Sequence, residues 1–417
     1  MTTPLLPPRL RVFLILVAAV GILGVAFHTL GFFGAPINLV YSDVLGFYER
    51  ASAPGFAYVS KPIEYPVLTG LFIEGAARLG GSRAGYYAVS VLALLGFAVA
   101  TTWLLYKAVE AEERGEPRLP AGRQGKMRMW RYWIFAPSMF FFATYNWDLI
   151  AVFLSVAAFY VIAPRYGEAP RTNADETQTL QKPRFGLAAF FLALGFSAKF
   201  YPVIYLVPLI LLMPSWKERG KVFAVFCGTA LVVNLPFMFL NFDGWSYFFT
   251  LNSARNSNPD SIWTIARFFF RGLDVAGINA LSLVLFAGAY AWVMARFRKA
   301  PMLQLCFAAT LLFLITNKIF SPQYVLWLLP FFVLLPATRS WQFYLLEGAN
   351  LATFFAILPW FFFGHDMFYF YLASPFVMLR HAALIGITIA AYRTMSRAHG
   401  NPSVTLHGTY PATKPTY

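Results

Sequence analysis

The chain has 417 residues, of which 59% are hydrophobic, 19% are aromatic and 12% are charged. Soluble domains usually carry about 25% charged residues, so this composition excludes a soluble protein. The two cysteines, Cys227 and Cys306, lie in apolar runs, which excludes a disulfide scaffold and a zinc site built from cysteines. Apolar runs recur from residue 10 to residue 394, and they predict an all-α polytopic membrane protein.

The formal net charge of +15 is distributed unevenly along the chain. Its whole excess falls in the segments between apolar runs that we assign to the cytoplasm, and the rest of the chain is neutral. This asymmetry follows the positive-inside rule, so the basic residues indicate topology and not nucleic-acid binding. We therefore expect a protein of the plasma (inner) membrane, surrounded by membrane lipid, with both termini in the cytoplasm.

About twelve membrane helices, within a range of 10 to 13, are predicted along the chain. Residues 10–33 form the first helix and are retained, because a signal-peptide core is only about 7–15 residues long. Residues 66–79 form a shorter amphipathic segment that we expect at the membrane interface. The other predicted spans are 84–106, 133–145, 148–163, 185–198, 202–214, 222–241, 277–295, 302–317, 321–337, 342–363 and 375–392.

These spans predict a single membrane domain over residues 1–395. Two extracytoplasmic loops, at residues 34–83 and 242–276, are expected to carry short interfacial helices. Residues 396–417 are polar and contain proline, so we predict a disordered cytoplasmic tail.

Three of the predicted hairpins are too short to contain two full membrane helices. Residues 133–163 and 185–215 form the first two and residues 302–337 the third, whereas each crossing of a ~30 Å hydrocarbon core takes about 20 helical residues. By the charge topology their tips point to the extracytoplasmic side and should lie below its surface. Irregular backbone at that depth requires a cavity lined by protein or filled with water.

Each hairpin tip carries polar residues: Asn146 and Asp148 in the first, Lys199 in the second and Lys318 in the third. An ionisable group at membrane depth costs at least ~2.5 kcal/mol, so Asp148, Lys199 and Lys318 are candidates for a functional site. The alternative is that Asp148 only forms an ion pair with one of the lysines and holds the hairpins together.

Two long outer loops can cover these tips, one with Asp43 and Glu64 and one with Arg255. Their aromatic and amide side chains suit a sugar, although an interfacial aromatic belt explains most of the Trp and Phe. Carboxylates beside isolated lysines suggest glycosyl transfer from a polyprenyl phosphate sugar. One carboxylate takes the acceptor's proton, and cations stabilise the departing phosphate. The sequence has no nucleotide-binding glycine loop, which favours a lipid donor over a sugar nucleotide.

A series of short motifs follows in a characteristic order. They are Asp43, Glu64-Tyr65-Pro66, Asn146 to Asp148, Lys199 to Pro202 and Asn317 to Trp327. In this order the chain resembles family 87 of the C superfamily of integral membrane glycosyltransferases, the polyprenyl-phosphate-mannose-dependent α-mannosyltransferases of bacteria. Its layout is also similar to that of the catalytic mannosyltransferase of glycosylphosphatidylinositol assembly. The resemblance reaches to about residue 395 and implies the C-superfamily glycosyltransferase fold.

The resemblance implies an inverting enzyme on the extracytoplasmic side. This enzyme would move a hexose, with mannose favoured, from a polyprenyl-phosphate sugar donor to a lipid or glycan acceptor. It implies Asp43 as the general base, with Glu64 as the competing acid. Many superfamily members have Asp-x-Asp where this chain has Ser42-Asp43-Val44. Since one carboxylate seldom holds a divalent ion, we expect neither a metal nor a cofactor.

The remaining candidates fall into two groups. Lys199, Lys318 and Arg255 are predicted to bind the donor phosphate, and Asn146, Asp148, Gln323 and Tyr201 the sugar or the acceptor. The alternative function is a polytopic transporter or flippase of a lipid or solute, whose broken helices would also place charges at membrane depth. Here the polar tips all face one side of the membrane, and the two halves of the sequence do not match as the repeats of such a transporter would. Both observations favour the enzyme.

Overall fold

The computed structural model describes residues 7–115, 121–163, 165–166, 180–181, 183–335 and 339–400. Within these ranges the chain is almost entirely helical. The described ranges also contain an antiparallel pair of two-residue strands, β1 (Arg165–Tyr166) and β2 (Leu180–Gln181), and turns and loops connect the helices. The all-α class predicted from the composition is therefore confirmed.

The helices follow one another along the whole described chain. The first ten are α1 (Pro8–Thr29), α2 (Ile37–Val40), α3 (Asp43–Gly46), α4 (Tyr48–Ser52), α5 (Val67–Gly80), α6 (Arg83–Gly115), α7 (Ala121–Met129), α8 (Pro137–Phe142), α9 (Asp148–Ile162) and α10 (Phe185–Ala198). The others are α11 (Leu206–Leu211), α12 (Trp216–Leu240), α13 (Phe242–Ala254), α14 (Ile262–Phe269), α15 (Val275–Arg296), α16 (Met302–Thr316), α17 (Leu329–Leu334), α18 (Ser340–Phe362) and α19 (Met367–Gly400). Three 3₁₀-helices (Leu30–Phe33, Tyr201–Tyr205 and Pro322–Trp327) and a π-helix (Trp130–Ile134) complete the order.

Six helices in the described ranges are long and apolar enough to cross a membrane: α1 with its 3₁₀ extension, α6, α12, α15, α18 and α19. They make the chain an integral membrane protein. The prediction of about twelve spans is not confirmed, because the predicted spans of the three hairpins are shorter helices. The longest of these, α9 and α16, have 15 residues each and extend over about 22 Å.

The short hairpin helices lie inside the bundle, and some of the long helices lie at its edge. Most side chains of α9 and α16 are buried against other helices, whereas α12 and α15 leave most of theirs exposed. Exposed faces of such apolar composition require lipid as their solvent. Helices too short to cross a bilayer therefore supply much of the protein's interior.

Each of the last two hairpins turns where a lysine and a proline interrupt the helix. Lys199 ends α10 with an extended backbone, and Pro202 is the second residue of the following 3₁₀-helix. In the third hairpin Asn317 is extended, and Pro322 opens the next 3₁₀-helix. Proline at a first helical turn removes an N–H that would have no partner there, so these turns are favoured by the sequence.

The two outer loops contain short helices and pack on each other above the hairpins. The first loop holds α2, α3, α4 and α5, and the second holds α13 and α14. Asn241 donates its side-chain N–H to the Val59 carbonyl at 2.9 Å, and Gly244 has no Cβ that would collide with the Tyr58 carbonyl. The two loops therefore form one cover over the hairpin tips.

Candidate active site

A cavity of about 630 Å³ lies between the two outer loops and the three hairpin tips. Its polar lining includes Asp43, Glu64, Tyr65, Asn146, Lys199, Tyr201, Arg255, Asn258, Asp260, Lys318, Gln323 and Tyr324. Segments far apart in sequence thus meet in one space, and eight of the nine predicted site residues line it. The exception is Asp148, which is fully buried behind Lys199.

Asp43 is fixed in the cavity wall by contacts with the first hairpin tip. It begins α3, and the residues on either side of it donate hydrogen bonds to the Tyr145 carbonyl, from the Ser42 hydroxyl and from the Val44 N–H, both at 3.1 Å. Asn146 donates its side-chain N–H to Asp43 Oδ2 at 2.7 Å. Both backbone and carboxylate are therefore held before any substrate arrives.

The surroundings of Asp43 raise its pKa toward neutral pH. Burial raises the pKa of Asp43 to about 6, and the hydrogen bond from Asn146 and the charge of Lys199 limit this rise. A general base works best when its pKa lies close to the working pH. At pH 7 the carboxylate is mostly ionised and is a stronger base than an ordinary aspartate.

Glu64, the competing acid, is held by a partner at the mouth of the cavity. Arg50 Nη1 lies 2.7 Å from Glu64 Oε1, and a third of the Glu64 side chain is exposed to solvent. The Arg50 guanidinium therefore already occupies one carboxylate oxygen of Glu64. This geometry favours Asp43 over Glu64 as the base.

Lys199 and Asp148 form an ion pair in the bundle interior. Lys199 Nζ lies 2.7 Å from Asp148 Oδ1, and the same ammonium lies over the rings of Tyr65 and Tyr324, 5.4 and 5.3 Å from their centroids. The structure therefore contains the pair that the sequence left as an alternative. Asp148 does not occupy the sugar-binding position expected for it, because a buried carboxylate requires a charged partner and takes the nearest lysine.

Lys318 and Arg255 lie together in the cavity lining. Lys318 Nζ donates to the carbonyls of Ser253 at 3.3 Å and Arg255 at 2.8 Å, and the exposed Arg255 guanidinium donates to Asn258 Oδ1 at 2.9 Å. Burial and the neighbouring Arg255 lower the pKa of Lys318. Two like charges side by side repel each other, and a bound anion would relieve that repulsion.

Stacked aromatic rings form a part of the cavity wall beside Lys199. Tyr324 stacks on Trp327 with centroids 4.1 Å apart, and Trp327 stacks on Tyr201 at 4.0 Å. Tyr201 is buried and its hydroxyl lies 3.4 Å from Ser155 Oγ. Of the predicted sugar contacts, Tyr201 and Gln323 both line the cavity, and the Tyr201 ring also supports Trp327 by stacking on it.

Sequence reasoning missed two charged residues at this site. Asp260 lines the cavity, and burial raises its pKa to about 6 while the charge of Arg380 opposes the rise. Arg380 is fully buried in α19. A charged residue inside an apolar run is itself a signal of a functional site, and this signal in residues 375–392 could have identified Arg380.

In the part of the chain that the structure describes, no group of three or more His, Cys, Asp or Glu side chains is arranged to hold a metal ion. Asp43 has an amide and a tyrosine as its nearest polar neighbours. The expectation of a metal-independent site remains a prediction.

The six long apolar helices and the acid- and cation-lined cavity define the class of protein, an integral membrane protein with an enzyme-like polar site. The chain belongs to glycosyltransferase family 87, whose family model matches residues 65–322. The protein is therefore a membrane glycosyltransferase, and the resemblance derived from its motifs is confirmed. This membership does not support the transporter alternative.

Two solved structures similar to this chain are those of ArnT from Cupriavidus metallidurans. The apo crystal structure matches with a TM-score of 0.42 and 13% sequence identity, covering 87% of this chain and 75% of that chain. The structure bound to undecaprenyl phosphate matches with a TM-score of 0.41 and 13% identity, covering 89% and 75%. Among curated proteins there is no match to the chain.

Proposed function

We propose that the protein transfers a hexose, with mannose as the favoured sugar, from a polyprenyl phosphate to a lipid or glycan acceptor. In this proposal the cavity faces the extracytoplasmic side of the inner membrane and both termini are cytoplasmic. The observation that carries the proposal is a single cavity whose lining includes the Asp43 carboxylate together with Arg255 and Lys318.

The proposed reaction is a single displacement at the anomeric carbon. The Asp43 carboxylate accepts the proton of an acceptor hydroxyl, and the hydroxyl oxygen forms a new bond to the anomeric carbon. The bond between that carbon and the phosphate oxygen breaks, and the bonding electrons leave with the polyprenyl phosphate. Attack opposite the leaving group inverts the anomeric configuration, and the leaving phosphate needs charge stabilisation and no proton.

Arg255 and Lys318 are suited to stabilise the departing phosphate. A guanidinium can donate two parallel hydrogen bonds to phosphate oxygens, and an ammonium acts as a compact point charge. The Lys318 ammonium already contacts the Arg255 carbonyl, so an anion held by one residue lies within the electrostatic reach of the other. We assign Lys199 a supporting role, because its charge is largely balanced by Asp148.

The apolar part of the cavity wall fits a lipid-linked donor. Phe248 and Phe249 on α13 and Ile357 and Phe361 on α18 line the same space as the charged groups. Apolar side chains of this size gain free energy by covering hydrocarbon and gain nothing from a soluble, charged sugar nucleotide. A sugar on a prenyl phosphate matches both parts of the lining.

The test is sugar transfer from polyprenyl-phosphate [³H]mannose by the purified protein in the presence of membrane lipids and glycans that supply the acceptor, with the corresponding glucose donor in parallel. Replacing Asp43 with Asn should lower the rate by about 10²–10⁴-fold, the usual contribution of a general base. The matched control is Asp243→Asn, because Asp243 is an exposed aspartate on α13. Full turnover by Asp43→Asn would refute the base, and no transfer of any prenyl-linked sugar by the parent would refute the function.

A further inference from the structure

Arg380 is a charged residue enclosed in the helical bundle. It lies in α19, which is long and apolar enough to span a membrane, and its side chain is fully buried. Charged groups in such a position are costly and persist when they make specific contacts. No step of the proposed reaction uses Arg380, so its contacts require another explanation.

The Arg380 guanidinium joins three segments that are far apart in sequence. Nη1 donates to Asn350 Oδ1 in α18 at 3.0 Å, and Nη2 donates to the carbonyls of Asp260 and Phe320. The guanidinium also lies over the Phe320 ring, with 3.9 Å between Cζ and the ring centroid. The planar fork of arginine fits acceptors that lie in different directions, which the single ammonium of lysine cannot serve in the same way.

The two carbonyls belong to the segments that carry the cavity's cations. Asp260 lies five residues after Arg255 in the second outer loop, and Phe320 lies two residues after Lys318. These two segments also bond to each other, since the Asn258 N–H donates to the Lys318 carbonyl at 3.1 Å. Arg380 therefore holds, from below, both parts of the wall that carries Arg255 and Lys318.

We propose that Arg380 is a positioning residue for the donor phosphate. It fixes the Asp260 and Phe320 backbone so that the Arg255 and Lys318 charges are held at one place on the cavity wall. This inference rests on the proposed function, because it assumes that these two cations bind a prenyl phosphate. Arg380 itself does not contact the substrate and acts through Arg255 and Lys318.

The test measures the affinity of the purified protein for farnesyl phosphate, which carries the phosphate and a prenyl chain but no sugar. The proteins compared are the parent, Arg380→Lys, Arg255→Gln and the double variant. We expect each single change to weaken binding about tenfold, a typical loss for a charge-assisted hydrogen bond. The double variant should bind no more weakly than the weaker single variant, because both changes remove the same contact.

A roughly hundredfold loss in the double variant, the product of two independent effects, would overturn the proposal. Arg380→Lys with parental affinity would overturn it as well. If Arg380→Lys does not fold, Asn350→Leu takes its place, because it removes one anchor of the guanidinium and leaves Arg380 itself intact. Asn350→Leu should weaken farnesyl phosphate binding about threefold, less than Arg380→Lys, because the guanidinium keeps its two carbonyl partners, and unchanged affinity would refute the inference.

Glu347→Gln is the control for a general loss of stability. Glu347 is buried on the same helix as Asn350, and its Oε2 accepts bonds from the Ser138 N–H and hydroxyl at 2.8 Å, outside the cavity lining. It should lower the melting temperature and leave farnesyl phosphate affinity unchanged. If Glu347→Gln and Arg380→Lys weaken binding equally, Arg380 has no specific positioning role.

Binding of farnesyl phosphate needs no turnover, so the two proposals fail separately. A parent protein that binds no prenyl phosphate would contradict the proposed function. A parent that binds it and transfers sugar, beside an Arg380→Lys variant with the same affinity, would contradict the positioning role alone.

Discussion

Lys199 and Lys318 occupy similar places in the sequence and have different partners in the structure. Each follows a short buried helix and precedes a proline in the first turn of a 3₁₀-helix. Lys199 bonds to the Asp148 carboxylate, whereas Lys318 bonds to the backbone carbonyls of Ser253 and Arg255. The same local sequence pattern has therefore produced one charge-paired lysine and one lysine held by dipoles.

The difference decides what each lysine can offer a substrate. A carboxylate balances the charge of Lys199, so the pair contributes little net potential at a distance. Carbonyl dipoles orient Lys318 but leave its full positive charge next to Arg255. We conclude that the Lys318 turn is suited to bind an anion. The Lys199 turn stabilises the fold and limits the rise in the pKa of Asp43.

The largest effect predicted from this comparison is on stability. Lys199→Met leaves the buried Asp148 carboxylate without its partner, and loss of one member of a buried pair typically costs about 3–5 kcal/mol. Thermal unfolding in detergent should show a large fall in melting temperature. The double variant Asp148→Asn with Lys199→Met should recover most of the loss. If the single and double variants are equally unstable, the pair does not stabilise the fold.

A smaller effect is expected on donor binding. Lys318→Met removes a full positive charge from the wall and should weaken farnesyl phosphate binding about tenfold, as for a charge-assisted bond. Lys318→Arg retains the charge and should stay within about threefold of the parent, a difference of less than 1 kcal/mol. The Asp148→Asn, Lys199→Met double variant should also bind nearly normally. Equal losses at both turns would contradict the comparison.

The smallest predicted effect is on the pH dependence of transfer. Asp43 must be ionised to act as a base, so the rate should rise with pH through about 6, the pKa that burial gives this carboxyl. Lys199 lowers this pKa more than Asp148 raises it. Removing both in the double variant should therefore move the acidic limb of the pH–rate profile to higher pH, by less than about one unit.

The same shift should be absent in Lys318→Arg, which retains the positive charge. A pH–rate profile of the double variant that overlays the parent's would show that Lys199 does not act on Asp43. A shift to lower pH would show that Asp148 has the greater influence.

Much of the fold could be predicted because membrane insertion leaves a clear mark on sequence. Long apolar runs and the distribution of Lys and Arg indicate helices and loops, and the short hairpins followed from a simple comparison of lengths. The count of about twelve spans went further than the structure supports. Apolar helices such as α9 and α16 have a spanning composition and yet lie in the interior, and composition alone does not distinguish lipid from protein as the apolar neighbour.

The residues of the candidate site could be predicted from the sequence. Which of them contact each other could not. Eight of the nine candidates line the cavity, because polar groups in apolar surroundings are rare and easily recognised. Arg380 was overlooked although the same rule applies to it. Its role depends on Asp260 and Phe320, which lie 120 and 60 residues away.

The sequence by itself determined that this protein is a helical membrane glycosyltransferase and which polar groups its interior contains. Hydrophobic length, charge asymmetry and motif order are properties of short segments, and a sequence displays them directly. The tertiary structure alone decided which carboxylate meets which cation, leaving Asp148 paired with Lys199 and Asp43 beside Asn146. These partnerships depend on distances of a few ångströms between segments about 50 to 100 residues apart, and electrostatic and hydrogen-bond energies change steeply over such distances.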